Sequence, residues 1–204
     1  MQVLKEDVRE AILKAAEDEF LCYGYNGSSL RRIASNAGIT AANLYRYFKN
    51  KESIFRTLIM PAVATINSII EHEVISMDSL KNNEVTDLIE MMSGEVAKEF
   101  MFHRKSMLLL LKKSEGTRFI RFRNEMTDHF ASHIIEHFKS ENIDSRNTKV
   151  RIFPKAYAVS AIESIAVILS ENEPDEVISE NLKLYLKVLI INFIQIIEML
   201  RGSK

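Results

Sequence analysis

The chain has little of what small proteins use to staple a fold or to carry out chemistry. One cysteine, Cys22, is present, which excludes an intramolecular disulfide, and nothing around it has a Cys/His zinc spacing. By base rate that thiol is expected to be a small buried hydrophobe. No P-loop, G-x-G-x-x-G or nucleophile elbow occurs, so no phosphate cradle or acyl-transfer serine is offered. Glu-x-x-His is also absent, whereas a di-iron carboxylate bundle needs two copies. The chain therefore does not read as an enzyme, and no catalytic residue, cofactor or metal ligand is assigned. The most apolar stretch, Leu184 to Leu200, is interrupted by Lys187, Asn192, Gln195 and Glu198, falls short of the roughly 20 apolar residues of a bilayer span, and reads as a buried helix with no membrane partner. The start, MQVLKEDVRE, mixes acids with bases ahead of no long apolar run, so a signal peptide is not expected and a cytoplasmic location is. Only three prolines and six glycines punctuate 204 residues, and no run alternates with period two. An all-α chain follows, and with 47% hydrophobic residues it holds enough apolar material for a substantial core.

Charge is present in both signs but unevenly placed. Met1 to Tyr23 carries three basic and six acidic residues, net −3; Gly24 to Met60 carries six basic and one acidic, net +5; Pro61 onward carries 18 and 21, net −3. A single basic window in a mildly acidic chain is the electrostatic footprint expected of a phosphate-binding face. On charge alone, an ordinary solvated face explains it equally well.

Local signals divide that window into short helices. Val8, Ile12, Ala15, Ala16 and Phe20 mark the inner face of a first helix that Gly24 ends. Ser28 or Ser29 caps a second, SSLRRIASNAG, with Leu30, Ile33, Ala34 and Ala37 inward. Gly38 permits a tight turn, Thr40 caps a third helix with Ala41, Leu44 and Phe48 inward, and Asn50 caps a longer fourth. Helix, glycine turn, helix is the helix-turn-helix pattern, with the third helix as reader. Later helices are expected at about Val85–Phe102, Ser106–Lys113, Thr117–Lys139, Thr148–Ser170 and Pro174–Leu200. Polar loops around Asn82, Gly116, Asp144 and Asn172 join them. Pro154 either kinks its helix or opens it, and Pro174 suits a first helical position. The expected division is a DNA-binding domain over residues 1–50 and a larger helical domain over 51–204.

With Ala41, Leu44 and Phe48 inward, the helical period leaves Ala42, Asn43, Arg46 and Tyr47 outward and Tyr45 at the border. Arg46 can fork onto guanine N7 and O6, Asn43 can pair with adenine or a phosphate, and the methyls of Ala41 and Ala42 can meet a thymine methyl. Tyr45, Tyr47, Lys51 and Ser29 are then placed for phosphate oxygens, which fix register without reading sequence. The bland alternative for the tyrosines is half-buried packing.

The segment GYNGSSLRRIASNAGITAANLYRYFKNKESIF resembles the DNA-binding segment of the tetracycline-repressor (TetR) type of bacterial transcription regulators. Gly24, Tyr25, Ser29, Leu30, Ile33, Ala34, Ala37, Gly38, Leu44, Tyr45, Tyr47, Phe48, Lys51 and Glu52 carry the resemblance in one register. It implies base or near-base contact by Arg31, Ala41, Ala42, Tyr45 and Arg46, and phosphate contact by Ser29, Asn43, Tyr47 and Lys51. Two positions depart from the family: Ala42 replaces a common glycine, and Arg32 a common acid, which opens an extra phosphate contact by Arg32.

A single small reader makes few contacts, so such proteins commonly dimerise on a pseudo-palindromic operator in double-stranded DNA. Ala156, Ala158, Ala161 and Ala166 give the penultimate helix small surfaces, and the last helix, from Val188 to Ile197, is apolar nearly all round. Both must be covered on more than one side, and the resemblance implies a homodimer through this pair. It also implies a small-molecule effector held by the middle helices, whose identity the sequence does not give. MMSGEVAKEFMFHRKSM, rich in Met and Phe, can line such a cavity, although ordinary core is the first reading of any one residue there. His129, His133 and His137 recur at i, i+4 and i+8, a spacing that holds a metal or forms a proton-sensitive wall; a polar helix edge is the plainer reading. The expected function is a ligand-responsive, dimeric, sequence-specific transcriptional regulator, the resemblance implying a repressor released by a small molecule, with a helical-bundle enzyme or a partner-binding module without DNA binding as the alternatives.

Overall fold

The computed structural model describes residues 2–71, 85–144 and 150–201, and the regular elements among them are all helices. They are α1 (Gln2–Gly27), α2 (Leu30–Asn36), α3 (Ala41–Leu44), α4 (Lys51–Glu71), α5 (Val85–Phe102), α6 (Arg104–Lys112), α7 (Ile120–Ser140), α8 (Phe153–Ser170) and α9 (Asp175–Arg201). The expected loop at Asn82 and the expected helix start at Thr148 lie outside the described residues. Pro154 stands in the first turn of α8, where its missing N–H is an orphan in any case. Pro174 lies just before α9 rather than inside it, its carbonyl accepting the Ile178 N–H.

Two compact units divide the chain. One comprises Met1–Thr65 with His103–Arg121, the other Ile66–Phe102 with Phe122–Lys204. In the first unit α6 returns to pack on α1. Lys105 pairs with Glu17 at 2.6 Å, and Ser106 donates its hydroxyl to the Leu58 carbonyl at 2.7 Å. The turn after α6 is fastened as well: the Tyr25 N–H donates to the Lys113 carbonyl at 3.1 Å, and Arg118 pairs with Glu52 at 3.0 Å. Gly116, at φ +85°, presents its backbone to Asn26 so closely that a Cβ there would lie 1.9 Å from the Asn26 Oδ1. The positive φ favours glycine here, whereas the exposed Asn26 side chain can swing aside.

In the second unit α9 packs along α5 and α8. Glu90 on α5 receives both Lys183 and Lys187 of α9, which holds its carboxyl below the usual carboxylate range. From α8, Ala158, Ala161, Ile162, Ile165, Ala166 and Leu169 are buried. That helix is long and apolar enough to cross a bilayer by length and composition, but this buried face makes it a core element of its unit. A further cluster joins Ile134 and Phe138 of α7 to Ile197 of α9, with Phe153, Tyr157 and Phe193 packed around it. Tyr157 donates its hydroxyl to the Leu189 carbonyl at 2.5 Å, and burial pushes its pKa up to about 12.

Candidate nucleic-acid interface

The reader is built from an inner apolar anchor and two chain reversals. Ile12, Ala16 and Phe20 of α1, Ile33 and Ala34 of α2, and Leu44 and Phe48 at α3 are all buried. Between α2 and α3 the chain turns at Gly38, φ +70°, whose N–H donates to the Ser35 carbonyl while the Ile39 N–H reaches back to Ala34 at 2.9 Å. This is a Schellman closure, and its left-handed position is what the glycine provides. Thr40 then caps α3, its hydroxyl accepting the Asn43 N–H at 3.1 Å. The helix ends at Leu44, shorter than the stretch to Phe48 expected from the sequence. Arg46 and Tyr47 continue it with i→i+3 hydrogen bonds to Asn43 and Leu44, a tighter winding that still returns Phe48 to the core.

The outer surface is open. Arg31, Ala42, Tyr45 and Arg46 are exposed, Tyr45 to 55%, and Ala41, Asn43 and Tyr47 are half-buried. Arg31 and Arg46 have no ion-pair partner among the described residues. Two further cations of this segment, Lys49 and Arg56, are also exposed.

Two other cations are engaged internally. Lys51, expected on phosphate, donates its ammonium to the Tyr25 carbonyl at 2.6 Å and the Ser28 carbonyl at 3.1 Å, over the Tyr25 ring at 4.4 Å. Burial lowers its pKa, partly offset by the charge of Glu19. Arg32, considered for an extra phosphate contact, instead pairs with Glu19 and donates to the Gly27 carbonyl at 2.7 Å. Its guanidinium also lies 4.6 Å over Tyr23.

Glu19 is the residue that sequence reasoning missed. It is 4% exposed, and its Oε1 accepts both the Ser29 N–H and the Arg32 Nε–H at 2.8 Å. Burial by itself raises the pKa of this carboxyl; Arg32, the Ser29 N–H and the charge of Lys51 outweigh it, leaving a net value below the ordinary one. The Ser29 hydroxyl makes no capping bond, so Glu19 does the capping expected of that serine. A signal was available: Glu19 follows Ala15 by four residues and Ala16 by three, on the inward stripe, where a charge needs a partner. Cys22, expected inside, is exposed: α1 turns this position away from the stripe that carries Ala16 and Phe20.

A short helix following a glycine turn, anchored from within and lined outside by unpaired arginines and small residues, defines the helix-turn-helix class of DNA-binding proteins. Residues 12–58 match the sequence model described as bacterial regulatory proteins, tetR family. The HTH-type transcriptional repressor BepR of Brucella suis is 47% identical over 53 residues, 26% of this chain and 25% of that protein. The HTH-type transcriptional regulator RutR of Escherichia coli is 43% identical over 47 residues, 23% of this chain and 22% of that one. The chain thus spans about a quarter of the length of these curated relatives. A solved transcriptional regulator from Aquifex aeolicus is similar over 89% of this chain and 98% of its own, with a TM-score of 0.56 and 20% identity, a likeness of fold.

Proposed function

We propose that the protein is a homodimeric, cytoplasmic transcriptional regulator that binds a pseudo-palindromic operator in double-stranded DNA and responds to a small-molecule effector held in its second unit. The observation that carries this reading is the exposed, unpaired surface after Gly38. Arg31, Ala41, Ala42, Tyr45 and Arg46 face base edges, with Arg46 as the guanine fork; Ser29, Asn43 and Tyr47 take phosphate oxygens. Lys51 acts one step behind, holding the chain at Tyr25 and Ser28 so that α2 starts in register.

Pairing of two chains follows from an uncovered apolar stripe. Val177, Leu184, Val188 and Ile191 recur at heptad-like spacing on α9 and are 41–59% exposed; Val159 and Val167 of α8 are exposed as well. Such a stripe in a helix pair suits a four-helix bundle with a second copy. The effector acts only through a difference in its affinity for the DNA-binding and non-binding arrangements. Within the Met/Phe segment, Phe100 is buried in the second unit, while Met91 and Phe102 are exposed. The repressor name of the Brucella relative favours repression relieved by the effector.

Selection of duplexes from a random pool, followed by anisotropy titrations across salt, tests this. A palindromic duplex whose affinity falls steeply with salt is expected, because each neutralised phosphate releases counterions. Salt-independent or uniformly weak binding to every duplex would sink the reading.

A further inference from the structure

The three histidines of α7 stand one turn apart, but the structure treats them differently. His129 is exposed. His133 and His137 are half-buried beside Ile134 and Phe138, and their Nε2 atoms approach to 3.0 Å with the ring planes at 83°. The His137 ring also meets Phe193 of α9 edge to face, 5.6 Å between centroids, so the pair is packed against a second helix.

We propose that His133 and His137 chelate a divalent transition-metal ion through their two Nε2 atoms. Two imidazole nitrogens bound to one ion at about 2.0–2.1 Å, subtending about 90–110°, lie about 2.9–3.4 Å apart. The observed 3.0 Å falls inside that bite. Histidines four residues apart on one helical face are also how metalloprotease helices present two ligands to zinc. The pair is hydrogen-bonded when no ion is present, so one ring donates from Nε2 and the other accepts. On chelation both Nε2 lone pairs turn to the ion and the donor ring carries its proton on Nδ1 instead, so two neutral rings bind with no net proton release. Among the described residues no group of three or more His, Cys, Asp and Glu side chains assembles around an ion. Water or a small anionic ligand therefore completes the coordination, leaving an open site. Imidazole donors and the general order of divalent affinities place Cu²⁺ first, ahead of Ni²⁺ and Zn²⁺.

The test uses the full chain without a histidine tag, titrated with Cu²⁺ and with Zn²⁺ by calorimetry. The Cu²⁺ form is also read by electron paramagnetic resonance. One ion per chain is expected, with superhyperfine splitting from two imidazole nitrogens. His133→Ala and His137→Ala should each weaken binding about tenfold or more, while His129→Ala leaves it unchanged. Helical content and melting are measured alongside; if His137→Ala fails to fold, His133→Gln carries the comparison. Absence of binding, binding that survives loss of His133, or a loss confined to His129→Ala would overturn the proposal. Because the readout is ion binding alone, its failure leaves the DNA-binding reading standing, and the reverse also holds.

Discussion

Replacing Glu19 by alanine removes one oxygen that holds two donors. The first is the Ser29 N–H, an orphan at the start of α2, held at 2.8 Å. A hydrogen bond to a charged group contributes about 1.5–3 kcal/mol, and leaving its partner unmade costs at the upper part of that range when water is excluded. The second is Arg32, whose side chain is 48% exposed. Water screens that pair, so its share is small. The loss from Glu19→Ala is therefore about 2–3 kcal/mol, carried by the Ser29 N–H, a large fraction of the 5–15 kcal/mol typical of a domain. Glu19→Gln keeps an acceptor without the charge and should lose about half as much. The pH dependence has a definite sign. The folded carboxyl titrates below its unfolded value of about 4.3, so its stabilisation is complete above that value and is lost as pH falls through the folded pKa. Chemical denaturation from pH 7 down to pH 3, with amide exchange at Ser29 as the local probe, reads both effects. The unaltered chain should lose more stability than Glu19→Gln over the acid limb, and Ser29 should exchange faster in both variants. A Glu19→Ala variant within 0.5 kcal/mol of the parent, or identical acid limbs, would refute the reasoning.

Arg46→Ala should change preference by about 1–3 kcal/mol at one base pair of the selected operator; equal losses on all duplexes in a competition assay would deny it a reading role. Lys51→Met should lower the melting temperature while leaving the slope of affinity against salt unchanged; a slope reduced by about one would return Lys51 to the phosphate. Gly38→Ala should destabilise the first unit by about 1–2 kcal/mol, since φ +70° is a left-handed position, as urea titration would show. Val188→Asp should place a charge in the exposed α9 stripe and convert dimers to monomers in analytical ultracentrifugation.

The sequence displayed its local rules well. Val85–Phe102 forms with the expected ends because apolar periodicity and flanking polar residues agree there, and the Gly38 turn and Thr40 cap form because their chemistry is set within four or five residues. What escaped was long-range. Glu19 and Arg32 are 13 residues apart and Lys51 and Tyr25 are 26 apart; nothing in the pattern of either member names the other. Charge counting treated Lys51 and Arg32 as surface footprint, whereas both are held by internal acceptors, so the basic face rests on Arg31, Arg46, Lys49 and Arg56. The place of α6 was invisible for the same reason, because its partner Glu17 lies 88 residues earlier. The outward direction of the reader was legible because burial of Leu44 and Phe48 fixes it by helical period alone.

The fit of Gly116 against Asn26 has a consequence for biosynthesis. The first 65 residues precede the turn at 113–119 that closes on them, so in a nascent chain the Tyr25 amide lacks its Lys113 acceptor until that turn is made. A reader excised at residue 65 would remain in that condition, and grafting this one onto another protein would require carrying the α6 strap along.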